Sequence, residues 1–293
     1  MSLFKPITLG CPACGTAVEF QAVHSVNADA RPDLRNEILA GTFQQQACSK
    51  CGKTFRLDPE FNLIDTQRGQ WIAAAPLGKL TQWKVLEEHA KAVFDRAFGE
   101  EAAETAQSIG KKLRPRITFG WPALREKLVA IDNGLDDVTL ELCKAFILRS
   151  VDSPVAADTE LRLLAASPEE LHFGWLRSAD ESAGPSMRVA RTVYDQIAAD
   201  ADGAWDDLRD ELSVGLFVDL NRMLMADPVP ESAASVPVEP AAEAQDEIEN
   251  ENDSGNAPEK KKSKKPAAVP KKGAPKKGGS ATKAAPGKKK RKK

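Results

Sequence analysis

The chain has 293 residues, 42% of them hydrophobic, and a net charge of only −2. No segment of it approaches the roughly 20 apolar residues of a membrane span, and its start lacks a signal-length apolar run, so the expectation is a cytoplasmic protein in a reducing compartment. The small net charge conceals three blocks: residues 1–230 carry −9, residues 231–256 carry −8 and no base, and residues 257–293 carry +15. Body and tail therefore attract opposite partners.

From Lys5 to about Pro76 the pattern is of short strands separated by turn residues: Thr16 to Val23, Thr54 to Leu57, Asn62 to Ile64 and Gln70 to Ala73. Between them, Pro32 to Ala40 reads as a short helix stopped by Gly41. After Gly78 the period becomes helical. Leu80, Trp83, Leu86, Ala90, Val93 and Ala97 mark one face of a helix ending near Gly99. Pro122 suits the first turn of a second, with Gly134 as its stop, and Asp136 or Asp137 can cap a third that runs towards Ser150. Trp205, Leu208, Leu212, Leu216, Leu220 and Leu224 mark a fourth; Ile117–Phe119, Glu160–Leu164 and Leu171–Phe173 are strand candidates. From Asp227 onward periodicity is lost. The expected class is α+β: a zinc-ribbon-like module with an inserted short helix over residues 1–78, a mainly helical domain over 79–228, an acidic disordered linker over 229–256 and a lysine-rich disordered tail over 257–293.

The strongest chemical signal is two CxxC pairs, Cys11-Pro-Ala-Cys14-Gly15 and Cys48-Ser-Lys-Cys51-Gly52. Thiols three positions apart can grip one metal from a tight turn, the following glycine lets the backbone bend round the sulfurs, and two facing turns supply a tetrahedral set. Zinc suits four soft sulfur ligands and makes no redox demand. The 33 residues between Cys14 and Cys48 exceed the usual spacing of compact modules, and the inserted helix accounts for them. The alternatives are a redox dithiol, which would be expected singly at a helix start in a βαβ setting, or disulfides. His24 could replace a cysteine, but with four sulfurs available it reads as an ordinary strand or surface residue; Cys143 reads as a small buried apolar residue.

These residues, with the stretch from Asn27 to Gly41, resemble the prokaryotic CpXC domain family, named for its Cys-Pro-x-Cys motif. The resemblance covers about the first 75 residues and extends more weakly to Phe119 through Asp137. The second pair lacks the proline, which leaves the ligands intact. The resemblance implies a zinc site at Cys11, Cys14, Cys48 and Cys51 and a bacterial cytosolic setting, and no reaction.

The tail presents Lys260, Lys261, Lys262, Lys264, Lys265, Lys271, Lys272, Lys276, Lys277, Lys283, Lys288, Lys289, Lys290, Arg291, Lys292 and Lys293 among Ala, Pro and Gly. In composition it is similar to the tails of linker histones and of some nucleoid proteins. Flexible ammonium groups neutralise phosphates without reading sequence, and with no aromatic residue interleaved there is no base stacking, so DNA, RNA or polyphosphate are the expected partners and nucleoid association a natural consequence. Solubilisation, or folding back on the acidic linker, is the alternative. Lys111, Lys112 and Arg114-Pro-Arg116 form a further basic patch, which could touch nucleic acid or be a solvated turn. Glu87, Glu88 and His89 read as an exposed helix face, and Tyr194 as a packing residue with its hydroxyl at the surface. None of the common catalytic motifs occurs, and the chain has three histidines, His24, His89 and His172. A non-enzymatic scaffold is the leading expectation. A thiol oxidoreductase, or an enzyme with an interdomain site of unrecognised type, is the competitor.

Overall fold

The computed structural model describes residues 2–151, 158–178 and 180–225; the acidic linker and the lysine tail, with every cation assigned to the tail, lie outside these described residues. The chain is α+β, with eight α-helices and three sheets among the described residues. β1 (Leu3–Gly10) pairs antiparallel with β2 (Ala17–Asn27), α1 (Pro32–Ala40) follows, and the hairpin of β3 (Gln45–Ala47) and β4 (Thr54–Arg56) forms a small sheet of its own. β5 (Phe61–Asp65) lies parallel to β2 and antiparallel to β6 (Gln70–Ala75). α2 (Trp83–Phe98) and α3 (Glu104–Gly110) lead to β7 (Arg114–Phe119), which pairs parallel with β6 from Gln70↔Arg114 to Ala75↔Phe119. The five-stranded sheet, in the order β1-β2-β5-β6-β7, thus crosses residue 78.

Both faces of the β5–β6–β7 part of this sheet are covered, because its strands alternate two apolar sets. Phe61, Leu63, Ile72 and Ala74 pack against Leu34 and Ile38 of α1 and Trp121, Leu124 and Leu128 of α4 (Gly120–Asp132). Trp71, Ala75 and Ile117 point the other way, to Ala90 of α2 and to Phe217. Gly120 has φ +79°, a left-handed value that turns the chain from β7 straight into α4 with no connecting loop.

The second core lies beyond α4. α5 (Asp137–Ser150) packs against the antiparallel meander of β8 (Thr159–Ala166), β9 (Glu170–Arg177) and β10 (Ala183–Ala190), and against α6 (Arg191–Ala199) and α7 (Asp206–Ser213). Asp136 caps α5 as expected, accepting from Thr139 N at 3.0 Å. Its own N–H donates to the Tyr194 hydroxyl at 2.7 Å, so that hydroxyl is tied to the α5 cap and does not lie free at the surface.

The fourth expected helix is broken. α7 ends at Ser213, Gly215 takes φ +80°, and the chain runs irregularly to the single turn of α8 (Asn221–Leu224). Glu87 of α2 explains the break: its Oε1 accepts from Leu216 N at 2.5 Å and Phe217 N at 2.8 Å, diverting those amides from helical bonding. Glu87 therefore anchors the 214–220 segment and is no member of a purely exposed face, although Glu88 and His89 are exposed.

Candidate metal centre

Each CxxC sits in the turn of a hairpin, and the two turns are built alike. In the first, between Gly10 and Ala17, Cys11 N donates to Thr16 O and Gly15 N to Cys11 O, both at 2.8 Å. In the second, between Ala47 and Thr54, Cys48 N donates to Lys53 O and Gly52 N to Cys48 O, both at 2.9 Å. Gly15 and Gly52 adopt φ +69° and +72°, the left-handed conformation for which glycine lacks the Cβ penalty. A small cluster supports both turns: Val18 and Phe20 from β2 with Phe55 and Leu57, the Phe20 and Phe55 rings 5.2 Å apart.

This framework brings together the four cysteines singled out from sequence. Their sulfurs all lie within 4.8 Å of one another, with Cys11 Sγ 3.7 Å from Cys51 Sγ and Cys14 Sγ 3.7 Å from Cys48 Sγ. A tetrahedron of thiolates with metal–sulfur bonds of ~2.3 Å has edges of ~3.8 Å, so the donor set fits a tetrahedral metal ion. All five cysteines are free thiols, with Cys11 and Cys48 buried and Cys14 and Cys51 reaching the surface. The electrostatics are those of crowded sulfurs. Hydrogen bonds with the Thr16 hydroxyl and backbone hold the Cys14 thiol down to about 6, and backbone N–H groups of Cys51 and Lys50 lower Cys48. Cys51 goes the other way: against the favourable backbone of Lys53, desolvation and the neighbouring sulfurs push it up to about 12. Four thiolates at this separation repel one another, and a cation at their centre removes the repulsion.

His24 does not join this group; it is exposed on β2 and, with His89 and Glu60, lines a cavity of about 250 Å³. Cys143 is buried in the second core, where burial pushes its thiol up to about 12.

A second constellation escaped the sequence reading. The Arg125-Glu126-Lys127 run of α4 proves to be structural. Arg125 joins Arg56 of β4 on the carboxylate of Glu181, at 2.9 and 2.5 Å, while the Arg56 guanidinium stacks 4.4 Å from the Trp121 ring centroid and Trp121 Nε1 donates to Leu57 O. These contacts clamp the cysteine module to α4. Glu126 is fully buried: it accepts from Lys144 Nζ at 2.8 Å, from Arg162 Nη1 at 3.0 Å and from Leu163 N at 2.7 Å. Arg162 also reaches Asp219 at 2.6 Å and Glu160 at 2.5 Å, and Lys144 pairs with Glu141 at 2.8 Å. Burial opposes ionisation of Asp137, but Lys127 and Arg116 outweigh it and keep its carboxyl well below the usual carboxylate range. Burial also dominates at Glu141, reinforced by Asp219 and Glu126, and raises it to about 7 against the pull of Lys144. From the sequence Arg125, Glu126 and Lys127 have no assigned role; their partners lie 10 (Asp137) to 91 (Val218) positions further along the chain, and no local pattern announces them.

Together these features define a mixed α+β protein with a four-thiol centre held in two equivalent turns. Residues 9–144 match the family model described as CpXC protein, in line with the resemblance carried by the two cysteine pairs. The matched segment runs from the first turn into α5, and so leaves outside it Arg162 and Asp219, which complete the buried charge network. No curated protein and no solved structure matches the chain. Among the described residues no helix is long and apolar enough to cross a membrane.

Proposed function

We propose that the chain is a non-enzymatic, zinc-binding scaffold of the cytoplasm, a zinc-ribbon-like module fixed to a larger α+β body and tethered to nucleic acid or another polyanion by its lysine-rich tail. The observation that supports the metal reading most directly is the pair of equivalent turns that sets four sulfurs at tetrahedral spacing. Zinc is the ion best suited to such a shell, and four thiolates complete it, which leaves no position for a reactive water and makes its role structural. Metal analysis with thiol titration on the purified protein tests this. One zinc per chain with four masked thiols is expected; reactive thiols with no metal would favour the oxidoreductase reading.

The tether rests on charge. The +15 of residues 257–293 is the strongest field in the sequence, and the remaining 256 residues carry −17. If about half of the 16 tail cations meet phosphates, log affinity for duplex DNA falls with log salt at a slope of roughly −7. Deleting residues 257–293 is expected to abolish binding, and deleting residues 231–256 to tighten it by removing an internal competitor. Equal binding without the tail would place the contact on the body.

A further inference from the structure

The basic patch of the sequence becomes the rim and wall of a cavity of about 450 Å³ between the β6–β7 ends, the turn after α3 and the C-terminal half of α4. Six cations line it: Arg68, Lys111, Lys112, Arg114, Arg116 and Lys127, against the single carboxylate of Asp137. They divide by what already neutralises them. The half-buried Arg116 and the buried Lys127 share Asp137 at 2.7 and 3.2 Å. Arg68 is braced by Asp65 and Asp132, and Arg114 by Asp136, yet Arg114 commits only its Nη1 among the described contacts. Lys111 and Lys112 are exposed and have no acidic partner among the described residues. The wall adds Gln70: its Nε2 donates to Lys127 O at 3.1 Å, which fixes the amide orientation, and its buried Oε1 has no partner among the described residues.

The turn that presents the lysines is held in place. Gly69, at φ +65°, lets Lys112 O approach so closely that a Cβ would stand 2.8 Å from it, and Arg114 N donates to Gly69 O at 2.8 Å. Pre-oriented guanidiniums beside unpaired ammonium groups, within a walled space of small-molecule size, make a site for a compact anion. A duplex does not enter such a space.

We infer that this cavity binds a phosphate-bearing small molecule, with Lys111, Lys112 and Arg114 taking the phosphate oxygens and Arg68 closing the opposite rim. The site shares no residue with the cysteine centre or with the tail, so the inference stands or falls independently of both. Full-length protein titrated with pyrophosphate, ATP and adenosine, followed by calorimetry and by amide exchange over residues 110–116, tests it. Pyrophosphate and ATP are expected to bind and to protect that segment, adenosine to do neither. The double variant Lys111→Ala, Lys112→Ala retains every tail lysine and removes no ion pair among the described residues; it is expected to bind both anions about tenfold more weakly at an unchanged melting temperature. Binding by ATP alone would assign the site to nucleotides, and equal binding of both to the phosphate group itself; either supports the inference. Unchanged affinity in the double variant, or protection of residues 110–116 by a DNA oligonucleotide and by neither small anion, would overturn it.

Discussion

The cysteine turns and the α4–α5 core differ sharply in the apolar packing that supports them. Around the turns the apolar support is thin: the buried residues are Cys11, Val18, Phe20 and Cys48, β3 is exposed throughout, and β1 is an exposed edge strand with one half-buried residue, Ile7. Around α5, 15 buried apolar residues form one cluster, and beside it lies a charge network whose members are nearly all buried. A region that buries little apolar surface needs another source of free energy, and a tetrahedral metal site is one of the few that a short segment can hold. The larger core can bear the desolvation of several ions because each finds partners within hydrogen-bonding distance.

The widest test of this contrast is removal of one sulfur. Structural zinc contributes on the order of 10 kcal/mol in small modules, comparable with the whole stability of a domain. In Cys48→Ser, or after complete chelation, amide protection is expected to vanish over residues 8–20 and 45–57 while β5, β6, α4 and α5 keep theirs, since Val23, Val26 and Phe61 anchor the sheet independently. Unchanged protection of both turns in metal-free protein would break the comparison.

The buried network is the next target. Arg162→Met removes the shared partner of Glu126, Glu160 and Asp219 and strands buried carboxylates, at an expected cost of about 3–5 kcal/mol in urea unfolding. Adding Glu126→Gln should recover part of that loss, because the two sites are directly coupled. A cost below about 1 kcal/mol would mean that the charges are better solvated than their burial implies.

Acidity separates the two carboxylate classes. Asp137, Asp219 and Glu126 are lowered in the fold, chiefly by Lys127, Arg162 and Lys144 respectively against burial, so the stability they contribute is present above the unfolded carboxylate range and lost as pH falls below about 4. Glu141 is raised to about 7, so the folded state holds its proton more tightly and stability declines as pH climbs from about 4.5 through 7. A stability maximum near pH 5 follows for this core, and Glu141→Gln is expected to flatten the decline above it. A slope in that variant identical to the parent's would assign the decline elsewhere.

The smallest effect belongs to Cys143. Truncation to Ala in the α5 core should cost about 1 kcal/mol and leave metal stoichiometry unchanged. Loss of metal in that variant would show that the ligand set extends beyond the two turns.

The sulfur centre was legible in the sequence because its chemistry is local: three-residue spacing and a following glycine dictate the turn, whatever surrounds it. The same holds for the α1 stop at Gly41, the α5 cap at Asp136, and the alternating strands β5 and β6, where side-chain period alone selects the face. Tertiary structure decided what depends on distant partners. The leucines from 208 to 220 carry a helical period, yet the Glu87 carboxylate from α2 takes the amides at 216 and 217 and ends the helix. β10 escaped notice because Ala183–Ala190 contains Gly184 and Pro185 and little alternation; it is a strand because β9 supplies a partner edge. Arg125, Glu126 and Lys127 acquire three different roles within one turn of α4, since helical rotation points each at a different neighbour: Glu181, Arg162 and Asp137. Charge is long-ranged and carries no sequence period, so the location of its compensation becomes fixed only when the chain folds.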